Sequence, residues 1–230
     1  MAKIHIKGAI VSNDHKDIYD FFGMDATSPN DVLTALDDAK QGDVEIHISS
    51  GGGDIWAGSE IYTALKEYEG NVTVKIMGLA ASAASVIAMA GDKVLMSPTA
   101  ELMIHNVWTQ STGDFRDMEH TAKVLETSNK TVANAYALKT GRSMDELLNL
   151  MNEETWFDAK EAKKYGFIDE IMFDDGLSLS ASWNRSAMLP PEVIQKIRNM
   201  ERPAVSDKEN NSEVLMARLH LLKLGGKEIE

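Results

Sequence analysis

No cysteine occurs in the 230 residues. Disulfides, thiolate metal sites and a cysteine nucleophile are therefore excluded, and covalent chemistry falls to a hydroxyl, carboxylate, amine or imidazole. No apolar run reaches membrane-spanning length, and Met1-Ala2-Lys3-Ile4-His5-Ile6-Lys7-Gly8 alternates polar and apolar residues where a signal peptide would build an apolar core. The expected compartment is the cytoplasm, with no membrane partner. Cations are scarce: 23 Lys and Arg face 36 Asp and Glu, a formal charge of −13. Phosphate-backbone binding is driven by Lys and Arg displacing counterions, so nucleic acid is not an expected ligand. No histidine has zinc-ligand spacing to another: His5 and His47 alternate with strand residues, His15 and His120 sit among charges, and His220 is near the C-terminus. Neither a metal nor another cofactor is expected.

What is present is ordinary globular composition, 43% hydrophobic and 26% charged, enough for one sizeable domain. Ile4 to Ile10 reads as a strand, and Ser28-Pro29 opens a helix through Val32, Leu33, Leu36 and Ala39 that Gly42 ends. Val44, Ile46 and Ile48 alternate with Glu45 and His47 in a second strand, followed by the turn Ser49 to Gly53 and a helix from about Ile55 to Tyr68. The unit then repeats, with Val72 to Met77 as strand, Gly78 as punctuation and a small-residue helix from Ala80 to Ala90. Strands at Lys93–Met96 and Leu102–Val107 precede a long polar helix, Phe115 to Leu138, which reads as an arm leaving the core. Helices starting at Ser143 and Asp158 and a strand from Phe167 to Met172 complete the compact part; a tail with short amphipathic helices around Val193 and Leu219 follows.

Three features carry chemistry. The glycines Gly51-Gly52-Gly53 allow backbone amides to converge on one negative centre, and Asp54 after them opposes a phosphate, so an oxyanion hole fits better than a phosphate loop. In Gly78-Leu79-Ala80-Ala81-Ser82-Ala83-Ala84-Ser85, a serine sits at a strand-to-helix junction among side chains small enough to admit substrate, and the Ala83 amide is aimed by the helix start. His105 ends an apolar strand, where an imidazole serves either as a structural residue or as a general base.

Gly52-Gly53, Ser82 and His105, each after its own strand, are together similar in order and spacing to the Clp protease (ClpP-like) family, from about Lys3 to Met172. The Ala-Ala-Ser, Met-Ile-His and Ala-x-x-Tyr-Gly-x-Ile-Asp elements carry the resemblance, and Ser49-Ser50-Gly51-Gly52-Gly53 resembles the family's glycine turn with glycine in place of proline. The resemblance implies an α/β fold of repeated strand-turn-helix units of the ClpP/crotonase type with a protruding handle helix. It implies a peptidase domain over 1–175 with the handle at about 108–140, and a C-terminal tail over 176–230. It further implies a serine endopeptidase with Ser82 as nucleophile, His105 as general base, amides of Gly53 and Ala83 as oxyanion donors and Gly52 as the supporting turn. Alignment on Ala162, Tyr165 and Gly166 puts Glu154 at the position of the third, acidic member, where the family has aspartate; Glu153 and Asp158 are the alternatives.

A homo-oligomeric ring and a protein or peptide substrate are the implied partners. The first strand begins almost at Met1, leaving no room for the segment through which family members engage their ATPase, so a Clp ATPase partner is not expected. Thr155-Trp156-Phe157 and the tail look most like phage-encoded head maturation proteases, which implies capsid or scaffold substrates in the host cytoplasm. The rival readings are an acyl-CoA enzyme of the related crotonase fold, which needs no Ser-His pair, and a ring or scaffold protein with weak catalysis.

Overall fold

The computed structural model describes residues 1–174; the tail helices expected around Val193 and Leu219 lie outside those residues. Strand β1 (Ala2–Ile10) is followed by α1 (Lys16–Phe21), β2 (Ala26–Thr27), α2 (Pro29–Asp38), β3 (Val44–Gly53), α3 (Ile55–Glu67), β4 (Val72–Ala81), α4 (Ala83–Ala88), β5 (Lys93–Met96) and β6 (Glu101–Ile104). Helix α5 (Phe115–Thr140), α6 (Met144–Asn152), β7 (Thr155–Phe157), α7 (Ala159–Tyr165) and β8 (Glu170–Ile171) complete the order. The sheet runs β2-β1-β3-β4-β5-β8 with all of these pairs parallel. This is the expected α/β architecture.

Alternation along the strands decides the layers. Ile4, Ile6, Val44, Ile46, Ile48, Val72, Val74 and Ile76 point to one face and are buried there with Val32, Leu36, Ile61, Leu65 and Ile87 of the helices. The opposite face carries Lys3, His5, Lys7, Glu45, His47 and Lys75, none of them buried.

Strand β4 is the branch point that builds the site. Thr73 to Ile76 pairs with β5, but Leu79 to Ala81 pairs with Glu101 to Met103 of β6, which in turn holds β7 in antiparallel register. Beside β3 the register slips: Ile48 faces Ile76, yet Ser50 faces Ala80, so β4 takes two extra residues there.

Two local expectations are corrected by this pairing. Ser49 to Gly53 is the last part of β3, since Ala9 and Ile10 of β1 supply partners for Gly52 and Gly53. Ala80 and Ala81 are strand, and α4 begins only at Ala83, because β3 and β6 offer hydrogen-bonding partners that outweigh the helix preference of alanine. Helix α2 ends at Asp38, before Gly42; Lys40 and Gln41, at φ of 49° and 62°, make the turn. Only Glu170–Ile171 of the expected Phe167–Met172 strand is paired, while α1, β2 and β7 had no clear period in the sequence.

Candidate active site

Ser82 sits between the end of β4 and the start of α4 with φ 55° and ψ −126°. A non-glycine residue there costs about 1–3 kcal/mol and persists only where its surroundings over-determine it. They do so here. The Ser82 N–H donates to the Met103 carbonyl of β6 at 3.0 Å, and the Ser82 carbonyl accepts from the Ser85 N–H at 2.9 Å and from the Ser85 hydroxyl at 2.6 Å. Every residue of α4 is buried, so the helix cannot shift to relax the turn. The strain lifts the Ser82 side chain out of the core into a partly exposed position.

His105 follows β6 directly, and its Nε2 lies 2.7 Å from Ser82 Oγ. The pairing of Ala81 with Met103 closes the 23-residue separation between the two. With Nε2 accepting from the hydroxyl, the imidazole is oriented as a base.

No carboxylate is hydrogen-bonded to His105 among the described residues. Glu154 is exposed at φ 49°, one residue before β7. The antiparallel register pairs Met103 with Trp156 and Ile104 with Thr155, so His105 follows and Glu154 precedes the last pair of the two strands. Asn106 Nδ2 donates to Asn152 Oδ1 at 2.8 Å, tying this stretch to the residue after His105. The two alternatives stand elsewhere: Asp158 caps α7 by accepting from the Lys160 and Glu161 amides, both at 2.8 Å, and Glu153 is the exposed C-cap of α6.

The glycine turn presses on Ser82. A Cβ on Gly52, whose φ is +89°, would lie 2.6 Å from the Ala81 carbonyl and 2.7 Å from Ser82 Cβ, so no other residue fits. The Gly52 N–H is taken by Ser50 Oγ at 3.0 Å, and Ser50 Oγ donates to the Gly8 carbonyl at 2.7 Å, which locks the turn. At the next step the Asp54 N–H, and not that of Gly53, bonds the Ile10 carbonyl, at 2.8 Å. Ala83 heads α4, so its N–H has no intrahelical acceptor. Asp54, which opposes an anion at this turn, is the N-cap of α3 and accepts from the Trp56 and Ala57 amides.

Ser82, His105 and the glycine turn border one cavity of about 610 Å3, lined also by Trp56, Trp108 and Tyr136. Trp56 and Trp108 are 67% and 71% exposed, each three residues beyond a site residue, Gly53 and His105. That proximity was the available signal for both; Tyr136, 51 residues from Ser85, gave none.

A hydroxyl on a strained strand-to-helix turn, bonded to an imidazole in a glycine-walled cleft, defines a serine hydrolase. The model of the family described as Clp protease matches residues 24–175, and the chain belongs to that family. The chain is similar to the "ATP-dependent Clp protease proteolytic subunit" of Bacteroides fragilis, 35% identical over 142 residues, covering 61% of this chain and 68% of the relative. It is 34% identical over 143 residues to "ATP-dependent Clp protease proteolytic subunit 3" of Streptomyces avermitilis, 61% of this chain and 64% of the relative. A Streptococcus pneumoniae subunit is 33% identical over 150 residues, 64% and 76% of the two chains. The matched region thus spans 64% to 76% of these relatives' lengths. Family and site together make this a serine endopeptidase. Among the described residues no helix is long and apolar enough to cross a membrane.

Proposed function

We propose that the chain hydrolyses peptide bonds with Ser82, His105 and Glu154 as its triad, and that its substrates are capsid or scaffold proteins of a phage. The Ser82 Oγ to His105 Nε2 bond of 2.7 Å at a strained turn is the observation that carries the hydrolytic reading. As Ser82 Oγ attacks the scissile carbonyl carbon, His105 Nε2 takes its proton. The carbonyl π pair becomes an oxyanion held by the N–H groups of Gly53 and Ala83. Collapse expels the amine, which receives the proton from His105, and leaves an acyl-Ser82 ester. Water, deprotonated by His105, then releases the acid and restores the hydroxyl. Glu154 accepts from His105 Nδ1–H after a side-chain rotation, a role supported by its place directly before Thr155, which pairs with the residue preceding His105.

The capsid role rests on Thr155-Trp156-Phe157 directly after the acid, a run resembling that of phage head maturation proteases. A ring assembled through α5, in the host cytoplasm, accompanies it. The exposed Phe115, Met118 and Val124 on that helix support assembly. A fluorophosphonate probe tests the chemistry: wild type labels at Ser82, and absence of labelling supports the rival reading of a catalytically weak ring protein, which the unbonded Glu154 favours. Incubation with capsid and scaffold proteins tests the substrate, and a monomeric mass at micromolar concentration would contradict the ring.

A further inference from the structure

The Ser82 carbonyl and the Ala83 N–H belong to one peptide unit. In a trans peptide the two point in opposite directions, and the described chain contains no cis bond. Whatever fixes the carbonyl therefore aims the amide. Three donors converge on the Ser82 oxygen: the N–H groups of Ser85 at 2.9 Å and Val86 at 3.3 Å, and the Ser85 hydroxyl at 2.6 Å. The first two come with helix formation; the third is a side-chain choice, and it is not isolated.

Ser85 Oγ also lies 2.8 Å from the hydroxyl of Tyr136 on α5, and both residues are wholly buried. The polarity of this chain is forced. A carbonyl only accepts, so the Ser85 proton goes to Ser82, and Tyr136 must then donate to Ser85 Oγ. Tyr136 is held in turn by the ring of Phe167, edge-on at 5.8 Å. On the far side of the peptide, a Cβ at Gly52 would fall 3.0 Å from the Ala83 nitrogen, so the absent side chain leaves that flank of the amide open, and Gly52 itself lines the cleft.

We propose that Ser85 and Tyr136 are positioning residues of the oxyanion hole: the relay from Tyr136 O–H through Ser85 O–H to the Ser82 carbonyl sets the plane of the Ser82–Ala83 peptide and so directs the Ala83 N–H at the oxyanion. The inference rests on Ser82 being the nucleophile and Ala83 a donor to its intermediate. Donation to the carbonyl also polarises the peptide, which strengthens the N–H at its other end. Burial pushes the Tyr136 hydroxyl well above its ordinary range, so it stays a donor throughout the working pH range. Because Tyr136 reaches the Ser82 carbonyl through Ser85, the two are in series in this relay.

Tyr136→Phe, Ser85→Ala and the double variant, made in the full chain, test this with three readouts: kcat and KM on a peptide, affinity for a peptide aldehyde whose adduct places an oxyanion in the hole, and affinity for the product peptide. Tyr136→Phe is expected to lower kcat about fivefold to tenfold, the worth of one hydrogen bond, and Ser85→Ala about tenfold to a hundredfold. Aldehyde affinity should fall in proportion while KM and product affinity stay within about twofold, because the oxyanion exists only in the tetrahedral state. In the Ser85→Ala background, Tyr136→Phe should add nothing. Unchanged kcat in Tyr136→Phe, equal losses of aldehyde and product affinity, or multiplying effects in the double variant would overturn the proposal. Failure of the underlying reading looks different: the wild type itself would not be labelled at Ser82.

Discussion

Two histidines placed by this sheet have complementary surroundings. His47 Nε2 lies 3.0 Å from Glu45 Oε2, Lys75 donates to the other oxygen of that carboxylate at 2.7 Å, and His5 packs edge-on at 5.3 Å. The Lys75 and then the His47 hydrogen bonds hold the Glu45 carboxyl down at about 2. Here an imidazole has its acid and no nucleophile. His105 has the Ser82 hydroxyl at 2.7 Å and no bonded acid among the described residues. The first pair follows from the pleat, which puts residues i and i+2 on one face; the second needs three strands and a strained turn. An imidazole beside a carboxylate thus needs only the pleat of one strand, whereas a serine held at φ 55° against an imidazole is energetically costly.

The largest test of the contrast is Ser82→Ala. It should abolish phosphonate labelling and cut hydrolysis by about 10^6 with the fold retained, and His105→Ala should cost a similar factor. His47→Ala should leave the rate within about twofold, so a comparable loss there would erase the distinction between the two sites. Labelling transferred to Ser85 would do the same for the nucleophile.

Glu154→Gln comes next. If this carboxylate turns to His105 in the working enzyme, kcat should fall by about 10^4, as when a triad loses the group that sets its tautomer. Asp158→Asn should be silent in rate, because its carboxylate is engaged at the helix start. A silent Glu154→Gln would leave Ser82 and His105 working as a dyad.

Gly52→Ala probes the wall of the cleft. The added carbon, 2.6 Å from the Ala81 carbonyl, must displace the turn that presents Ser82, and kcat should drop at least about a hundredfold, since a misplacement near 1 Å has that effect. An active Gly52→Ala enzyme would show that the two turns are not mechanically joined.

The smallest effect belongs to the other histidine. Glu45→Gln should lower stability at neutral pH by about 0.5–1 kcal/mol, the worth of a solvent-screened ion pair, with activity intact. Its carboxyl titrates lower in the folded chain than the ordinary 4.5, so the stabilisation is fully present above 4.5 and is lost as pH falls towards about 2. Melting curves of wild type and variant should therefore converge over that window.

Much of the fold is legible in local sequence patterns. The polar-apolar alternation from Val44 to Ile48, the Ser28-Pro29 helix start and the small residues around Ser82 each state a local preference that survives folding. The boundaries of the serine turn do not, because Ala80 and Ala81 are good helix residues drawn into β4 by hydrogen bonds to strands far away in sequence. The acid is legible only as a choice among three neighbours. Asp158 caps α7, and Glu154 directly precedes the short strand β7 whose Thr155 pairs with Ile104, a pairing that no periodicity in a three-residue strand announces.

By itself the sequence determined which groups were available for chemistry: no thiol, no spaced metal ligands, one serine among small residues at a strand end, one histidine ending an apolar strand, and glycines where a backbone must come close. Those are matters of composition and short-range sterics, which a chain carries whatever its fold. Only the tertiary structure decided that Ser82 would be strained, that His105 would reach it across 23 residues, and that Ser85 would be gripped by Tyr136 from another helix. Each of these depends on contacts between segments whose separation along the chain fixes neither distance nor direction, and it is the pairing of strands and the packing of α4 that supply both.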